Sequence, residues 1–433
     1  MKYYMRCGMA RRLTMFIATC TLSAATCTAL CAQPQAGNDD AMTLEDALVE
    51  AHRANAELPA AQFATQQALA RARAAHGALY PSVSIDGDVH GGTPQSYASN
   101  DAMARVLLQT PIYTGGELQA GIARSNAEAD SSEAAYRISV RDIDLAVRTT
   151  YSRILMDDAM RDFNQRAITR LAAYLMVVRA RQSVGQGVAG DVLRTQQRVA
   201  GAEADLAAAN QDLNQARMAF NDLLGRVPNS TLSLAALPEP TPPAQSDTQP
   251  WLTTPDVEQS EANVRASEAN LQAVQAGRKP HVTLQADVGH QWSGDASPAP
   301  LNGGRGSGGQ VTLNFSLPLW DNGVFHARMD EAHAALNEAQ QRKVIAERAA
   351  QFAWTQAVGG VRDLYAEYRA RNETAATARD AYLQAESIYR GGQGTSLEVL
   401  DAYDAWTQAN QSLLGVIYRY RVAQANLYRW GTP

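Results

Sequence analysis

The sequence has almost no cysteine, since its four cysteines all lie within the first 31 of 433 residues. The remainder of the chain therefore forms neither a disulfide framework nor a thiolate metal site. Aromatic residues are scarce as well, at 7%, which leaves little bulky material for a compact core. The net charge of −6 excludes the basic surface typical of nucleic-acid binding, so we expect no nucleic-acid partner.

Long apolar runs are missing except at the N-terminus. There, a basic segment from Lys2 to Arg12 precedes an apolar run that ends in small residues at about Ala32. This pattern predicts a secretory signal peptide over residues 1–32, with a transmembrane anchor as the alternative. Lipid modification of Cys31 is a further option, although the preceding residues fit its pattern poorly. Beyond this segment, any membrane crossing would have to be made by strands.

Proline is absent from residues 112–227 and 319–432 but is concentrated between them, over 226–254. Proline-free, alanine-rich stretches favour long helices, whereas the proline-rich stretch is typical of a linker. A helix from Gly116 to Ser183 would reach about 100 Å at 1.5 Å per residue. That length suits a rod or a tunnel rather than a globular domain.

The two proline-free stretches belong to an internal repeat. Three pairs of segments match at a constant offset of about 207: 110–116 with 317–323, 185–187 with 392–394, and 191–193 with 398–400. Tyr80-Pro81 corresponds to Lys279-Pro280 at a shorter offset, so the second copy needs a longer insertion between its strands. Gly303–Gly309 is the candidate loop.

Large apolar residues recur every seven positions in the later part of each copy. They are Val192, Val199, Leu206, Leu213 and Phe220, and then Val399, Trp406, Leu413, Tyr420 and Leu427. Mostly small residues form a companion seam, namely Thr195, Ala202, Ala209 and Ala216, and then Ala402, Ala409, Val416 and Ala423. Such heptads predict knobs-into-holes packing between long helices, which a periplasmic coiled-coil scaffold would show equally well.

Four segments alternate apolar and polar residues with period two: 83–89, 104–109, 282–289 and 311–317. The alternation is typical of transmembrane β-strands, with a half-buried soluble hairpin as the alternative. Tyr80, Tyr113, Trp292 and Trp320 lie near strand ends, where an aromatic girdle would lie. Because four strands are too few to close a barrel, copies of the chain would have to share one.

Together these features resemble the TolC family of outer-membrane efflux channels, the outer membrane factors of tripartite pumps. The resemblance covers nearly the whole mature chain and is carried, in order, by 43–48 with Asn55, 79–83, 111–116, 318–323 and 392–402. Thr43 and Asp46 also predict a helix N-cap, and Thr254-Pro255 predicts a cap followed by proline at the first helical position.

The resemblance implies a mainly α protein with a membrane β-barrel portion. Each chain would supply part of a long α-helical barrel and four transmembrane strands, joined as twelve strands in a homotrimer. The repeats would span 33–226 and 255–433, each with a helix, two strands, a long helix, a tip turn and a helix. A proline-rich equatorial linker would occupy 227–254.

The resemblance also implies a function and partners. The chain would be the passive exit duct of a tripartite efflux or secretion system, in the outer membrane of a Gram-negative bacterium and extending into the periplasm. Its partners would be two further copies, a periplasmic adaptor (membrane fusion) protein, an inner-membrane pump reached through the adaptor, and outer-membrane lipid. Drug efflux, metal efflux and protein secretion share such a duct, and cargo selection is expected in the inner-membrane partner.

The family's periplasmic tips correspond to the two glycine turns of this sequence. By the resemblance, Gly185, Gly187, Gly392 and Gly394 would form the turns that dock the adaptor and surround a gated entrance. Glycine helix stops are expected there even without that role.

Four further residues receive roles from the resemblance. Glu398 and Asp401 would face the pore as an acidic constriction, with solvated surface acids as the alternative. Asp191 and Tyr389 match positions whose hydrogen bonds hold the closed state. Gly394 stands where TolC itself has a locking arginine, so a weaker or differently held closed state is expected here.

Enzyme motifs are not visible in the sequence. The seven histidines show no HExxH spacing, and no nucleophile motif is present. We therefore predict no catalytic residue, no metal site and no cofactor. The main rival interpretation is a periplasmic coiled-coil protein that forms no channel.

Overall fold

The computed structural model of the chain describes residues 41–90, 101–242, 250–293 and 306–430. The predicted signal peptide, Cys31 and residues 303–305 of the candidate loop lie outside these ranges. In the first repeat the elements are α1 Leu44–Ala54, α2 Glu57–Gly77, β1 Ser82–His90, β2 Asp101–Tyr113, α3 Glu117–Ser183 and α4 Ala189–Leu223. A 3₁₀ turn at Pro250–Thr253 precedes α5 Pro255–Ala276, β3 His281–Ser293, β4 Gly306–Ser316, α6 Val324–Arg390 and α7 Ser396–Tyr428.

The two long helices confirm the prediction from proline-free stretches. Helices α3 and α6 have 67 residues each, and both ends of α6 lie at the repeat offset of about 207 from those of α3. Helix α4 packs on α3 and α7 packs on α6. Both predicted seams contribute buried residues, as at Ala202 and Ala209 in the small-residue seam and Phe220 in the large-residue seam. Within the described ranges, no helix combines the length and the apolar character needed to cross a membrane.

The first repeat begins with two helices rather than the single helix expected. Pro59 has no backbone N–H, so a continuous helix through it would leave the carbonyl of Asn55 without its helical hydrogen bond. The Asn55 side chain occupies the break instead. Its Oδ1 accepts the backbone N–H of Glu57 (2.8 Å), and its Nδ2 donates to the carbonyl of Leu223 (3.1 Å). The break therefore fastens the start of α2 to the end of α4.

The two predicted N-caps differ in the structure. Thr43 and Asp46 form the expected capping box at the start of α1. At the start of α5, Thr254 holds the N-cap position and Pro255 follows at the first helical position, as predicted. The Thr254 hydroxyl, however, donates to the carbonyl of Trp251 over 3.2 Å and makes no capping bond. The preceding 3₁₀ turn brings that carbonyl within reach of the hydroxyl.

The strands form one antiparallel sheet in the order β1-β2-β3-β4. Its register places the apolar residues of all four strands on one face, in the rows Val83–Leu108–Ala286–Val311 and Ile85–Val106–Val288–Gly309. This face is open, since Ile85 is 79% exposed and Val311 is 73% exposed. The predicted alternation is confirmed. A half-buried soluble hairpin does not fit, because no described part of the chain covers the apolar face.

The assignment of Gly303–Gly309 to a loop is wrong for its last four residues. Gly306–Gly309 belong to β4 and pair with Val288–Gln291 of β3. Glycine disfavours strands by its backbone entropy, but the ladder of hydrogen bonds to β3 overrides that preference. Glycine is also required nearby, since a Cβ on Gly289 would lie 2.8 Å from the carbonyl oxygen of Ala104.

A buried tyrosine ties the linker to α3. The Tyr151 hydroxyl lies 2.9 Å from the carbonyl oxygen of Met42 and 2.7 Å from that of Ala235, and its ring packs edge-on against Phe220. Met42 also forms a parallel bridge with Leu234. One side chain therefore holds the segment before α1 and the proline-rich segment together against the helices.

We expect Tyr151→Phe to lower the free energy of unfolding by about 1–3 kcal/mol, because the buried hydroxyl and its hydrogen bond to a partly buried carbonyl are lost while the ring stays packed. The matched control is Tyr136→Phe on the same helix, whose hydroxyl has no hydrogen bond within the described residues. Thermal unfolding of the detergent-solubilised protein, followed by circular dichroism, measures the difference. Equal midpoints for the two variants would contradict this role for Tyr151.

Candidate functional site

The turns that join α3 to α4 and α6 to α7 are built alike. Gly185 and Gly392 follow the two long helices with φ of +78° and +87°, a left-handed conformation that favours glycine. The next backbone N–H bonds back into the last helical turn, over 2.9 Å in one case and 3.2 Å in the other. The predicted glycine stops are therefore confirmed as turns.

The second glycine of each turn has a close neighbour, which would have to shift by a few tenths of an ångström to admit a Cβ. A Cβ on Gly187 would lie 3.2 Å from the backbone nitrogen of Gln182, and one on Gly394 would lie 3.2 Å from Cγ2 of Ile388. The Cβ on Gly394 would also lie 3.3 Å from Oε2 of Glu398. Both turns are consequently tight, with little room for a side chain on their inner side.

Glu398 has a structural role that the sequence pattern did not assign. Its Oε2 accepts the backbone N–H of Thr395 over 3.0 Å, while Thr395 Oγ1 accepts the N–H of Glu398 over 3.3 Å. This capping box fixes the start of α7. The first turn has Val188 at the equivalent position and no side-chain cap. The Glu398 side chain stays exposed to solvent while it caps.

Asp401 lies one turn further along α7 and is also exposed. Its charge acts on Asp404, which forms an ion pair with Arg198 of α4. Burial raises the pKa of Asp404 above its usual value, Arg198 opposes the rise, and Asp401 adds to it. Glu398 and Asp401 therefore place two exposed carboxylates on adjacent turns at the start of α7, as their spacing predicts.

Tyr174 of α3 is the centre of the site, which we call the tip cluster: Tyr174, Arg181, Asp191, Tyr389 and Ser396. Tyr174 is only 1% exposed, its hydroxyl lies 3.1 Å from Oγ of Ser396, and its ring centre lies 5.4 Å from that of Tyr389. Burial raises the pKa of Tyr174 well above its usual value. Ser396 opposes that rise, and Tyr389 and Asp191 reinforce it.

The ends of four helices meet in the tip cluster. Asp191 is in the first turn of α4, Ser396 begins α7 and Tyr389 is in the last turn of α6. Among the described residues no hydrogen bond joins Asp191 to Tyr389 directly; both act on Tyr174 instead. Asp191 also lies 3.9 Å from Arg194.

Arg181 makes a second link between the two helix pairs through Tyr389. Its Nη1 donates to the backbone carbonyl of Tyr389 over 2.8 Å, and its guanidinium lies 4.6 Å from the centre of the Tyr389 ring. A Cβ on Gly392 would lie 3.1 Å from its Nη2. A charge-assisted hydrogen bond and a cation–π contact therefore fasten the end of α6 to α3.

Sequence reasoning missed Tyr174, Arg181 and Ser396. A signal existed in the repeat itself, because the equivalent positions in the second copy for the first two are Ala381 and Ile388. Polar or aromatic residues that break the repeat mark contacts made only once per chain. A search for such differences would have pointed to both.

We expect Arg181→Ala to speed hydrogen exchange of the backbone amides of residues 388–395 about tenfold, since it removes contacts worth about 1.5–3 kcal/mol. The control is Arg179→Ala, an exposed arginine that forms no ion pair in the described part of the chain. Mass spectrometry of peptic fragments measures the exchange. The same rate in both variants would show that Arg181 does not hold the turn.

The chain matches the family model described as outer membrane efflux protein over residues 35–226 and 252–430. It is 24% identical over 404 residues to the pyoverdine export outer membrane protein OpmQ of Pseudomonas putida, covering 89% of this chain and 84% of that protein. It is 25% identical over 233 residues to the cation efflux system protein CusC of Escherichia coli, covering 52% of this chain and 49% of that one.

Solved structures share the fold. A crystal structure of CusC superposes with a TM-score of 0.79 at 19% identity, covering 89% of this chain and 91% of the other. The outer membrane protein VceC of Vibrio cholerae superposes with a TM-score of 0.78 at 18% identity, covering 90% and 96%. At these identities, the likeness establishes the fold and leaves the roles of individual residues to the chemistry of this chain.

Proposed function

Because the chain belongs to the outer membrane efflux protein family, we propose that it is the passive exit duct of a tripartite efflux or secretion system and works as a homotrimer. Channels of this family lie in the outer membrane of Gram-negative bacteria and extend into the periplasm. Beyond this family function, we propose that three chains assemble, that the duct has a gate, and that an adaptor connects it to a pump.

The observation that carries the proposal is the sheet with two open edges. Strands β1 and β4 each pair on one side only within the described residues. In lipid, the unpaired backbone groups of both edges have no water to bond, so an open edge is costly there. Pairing β4 of one chain with β1 of the next satisfies both edges. Three chains would give twelve strands, an even number within the range of membrane barrels.

The exposed apolar face supports the same arrangement. Ile85, Val89, Val311 and Phe315 are each more than three-fifths exposed and lie on one face of the sheet. Lipid would cover this face, while Asp86, Arg105 and other polar residues on the opposite face would line the inside.

We propose the tip as the gate and as the docking site. Glu398 and Asp401, repeated in three chains, would form an acidic constriction, with Asp191 and Tyr389 acting in the closed state through the tip cluster. The turns at Gly185, Gly187, Gly392 and Gly394 would contact the periplasmic adaptor, which joins the duct to the inner-membrane pump. Their small size supports close docking, because each turn leaves its backbone accessible.

The cargo is proposed to be chosen by the inner-membrane pump. Relatives with this fold are named for pyoverdine export, antibiotic efflux and cation efflux. One duct architecture therefore serves chemically different cargoes. The division into repeats over 33–226 and 255–433, with an equatorial linker over 227–254, is part of the same proposal and is supported by the shared offset of α3 and α6.

We expect the purified protein to require detergent, to have the mass of a trimer and to give a cation-preferring conductance in planar bilayers. Glu398→Gln with Asp401→Asn should lower the cation-to-anion permeability ratio about two- to fivefold. The double variant removes two negative charges per chain, and in a water-filled pore the attraction of such charges for a cation is modest. Glutamine at 398 retains the capping box, so the start of α7 is preserved.

The control for this measurement is Asp222→Asn, at the opposite end of α4 from the tip. Unchanged selectivity in the double variant would remove Glu398 and Asp401 from the constriction. A water-soluble monomer without conductance would contradict the channel itself.

We expect Gly394→Lys, and likewise Gly187→Lys, to weaken adaptor binding about tenfold, because a charged side chain would enter a desolvated contact. The trimer should persist, as judged by size-exclusion chromatography with light scattering. Gly201→Lys is the control, since a Cβ there meets open space on α4. Normal adaptor binding and efflux in the tip variants would mean that the turns serve the fold alone.

A further inference from the structure

An open cavity of about 490 Å³ lies where the second repeat passes from sheet to helix. The end of α5, the segment after β4 and the first turns of α6 line it. Arg278, Trp320 and Arg328 stand on its wall. Its volume is in the range of pockets that hold small molecules.

Two arginines in this cavity have no acidic partner. Within the described ranges, neither Arg278 nor Arg328 forms an ion pair or a side-chain hydrogen bond, and both are exposed. The guanidinium of Arg278 lies 4.8 Å from the centre of the Phe325 ring. Stacking holds the plane of the guanidinium but leaves its N–H groups free, and these suit a phosphate oxygen.

The two carboxylates on the cavity wall are occupied elsewhere. Glu117 Oε2 lies 2.9 Å from Nε2 of His281. The Asp321 carboxylate accepts the backbone N–H groups of Gly323 (3.3 Å) and Phe325 (2.7 Å). Within the described residues neither carboxylate pairs with an arginine of the cavity, so the N–H groups of both guanidiniums remain available to a ligand.

Apolar side chains lead from the cavity to the sheet. Leu319 is 80% exposed and Trp320 is 81% exposed, and Phe315 and Leu317 continue the exposed apolar surface along β4. A ligand that contacts both the arginines of the cavity and the apolar surface beside it must carry an anionic group, such as a phosphate, and an apolar tail. The Trp320 indole is of the kind that lies at the boundary between hydrocarbon and headgroups.

The internal repeat supplies a natural comparison. The first copy has a cavity of about 420 Å³ at the equivalent junction, where Pro111, Ile112, Tyr113 and Thr114 replace Pro318 to Asp321. It contains neither arginine, because Leu79 stands for Arg278 and Gly121 stands for Arg328. A cavity thus occurs at this junction in both copies, whereas only the second copy carries the two arginines.

We infer that the cavity between α5 and α6 binds the headgroup of an anionic phospholipid of the periplasmic leaflet, with its phosphate between Arg278 and Arg328. The acyl chains lie along Leu319, Trp320 and the apolar face of β4. The inference rests on the proposed function, which places the sheet in the membrane and the helices in the periplasm. It adds one lipid site per chain at a defined position.

Native mass spectrometry of the full-length assembled protein tests the site. Phosphatidylglycerol and phosphatidylcholine are titrated separately into delipidated protein in detergent. We expect up to one tightly bound phosphatidylglycerol per chain, and about tenfold weaker binding in Arg278→Gln with Arg328→Gln. Arg179→Gln with Arg369→Gln gives the same change of net charge away from the cavity and should bind as the native protein does.

A graft makes the test independent of damage to the cavity. Leu79→Arg places one charge on the wall of the first copy's cavity, and Gly121→Arg places the other on α3 two residues beyond its lining residue Gln119, where a Cβ meets open space. A second tightly bound phosphatidylglycerol per chain is expected. Inorganic phosphate at millimolar concentration is the competing probe, and displacement of the lipid by it, or equal binding of phosphatidylcholine, would overturn the lipid assignment.

Conductance measured on the same preparations separates the two proposals. A native protein that does not conduct contradicts the proposed channel. A double variant that conducts normally and still binds phosphatidylglycerol with native affinity contradicts the lipid site while leaving the channel intact. Normal conductance with weakened lipid binding, together with the gain in the graft, supports both.

Discussion

The constraint on which this structure depends is that backbone N–H and C=O groups must be paired wherever water is absent. Four strands satisfy that rule across three ladders and violate it at the outer edges of β1 and β4. The exposed apolar face that includes Ile85 and Val311 suits an apolar environment, in which those edges would lack partners. The proposed assembly would satisfy the edges and would also bring the helices of neighbouring chains together, since α2, α3, α5 and α6 pack in the same order as strands β1 to β4.

Duplication supplies the scaffold, and the differences between the copies supply its chemistry. The long helices, the glycine turns and the junction cavities occur twice at matching positions. The contacts with specific chemistry occur once: Arg181 has Ile388 as its counterpart, Thr395 has Val188, and Arg278 has Leu79. Two equivalent helical hairpins can form the scaffold of the chain. A site that occurs once per chain needs residues that differ between the two copies.

Much of the fold was predictable because it follows from local or periodic signals. The absence of proline gave the extent of α3 and α6, and period-two alternation located the four strands. The failures have a common physical origin. The break at Asn55, the strand at Gly306–Gly309 and the role of Tyr174 all depend on contacts with distant segments, namely Leu223, β3 and Ser396. Pro59 marks a break near Asn55 without showing what holds it, local propensity disfavours the strand at Gly306–Gly309, and nothing local distinguishes Tyr174.

In the proposed gate, the tip cluster would take the part of the arginine that is missing at position 394. Arg181 reaches Tyr389 from the neighbouring helix pair, so the charge is supplied from α3 rather than from the turn. A charge-assisted hydrogen bond with a cation–π contact is worth about 1.5–3 kcal/mol per chain. Three such links in the proposed trimer amount to about 4.5–9 kcal/mol when they open together. Under the proposed function, an adaptor that opens the tip would have to bind the open form more tightly by at least that amount. Opening by thermal motion alone would then be rare, and the proposed gate would depend on its partners.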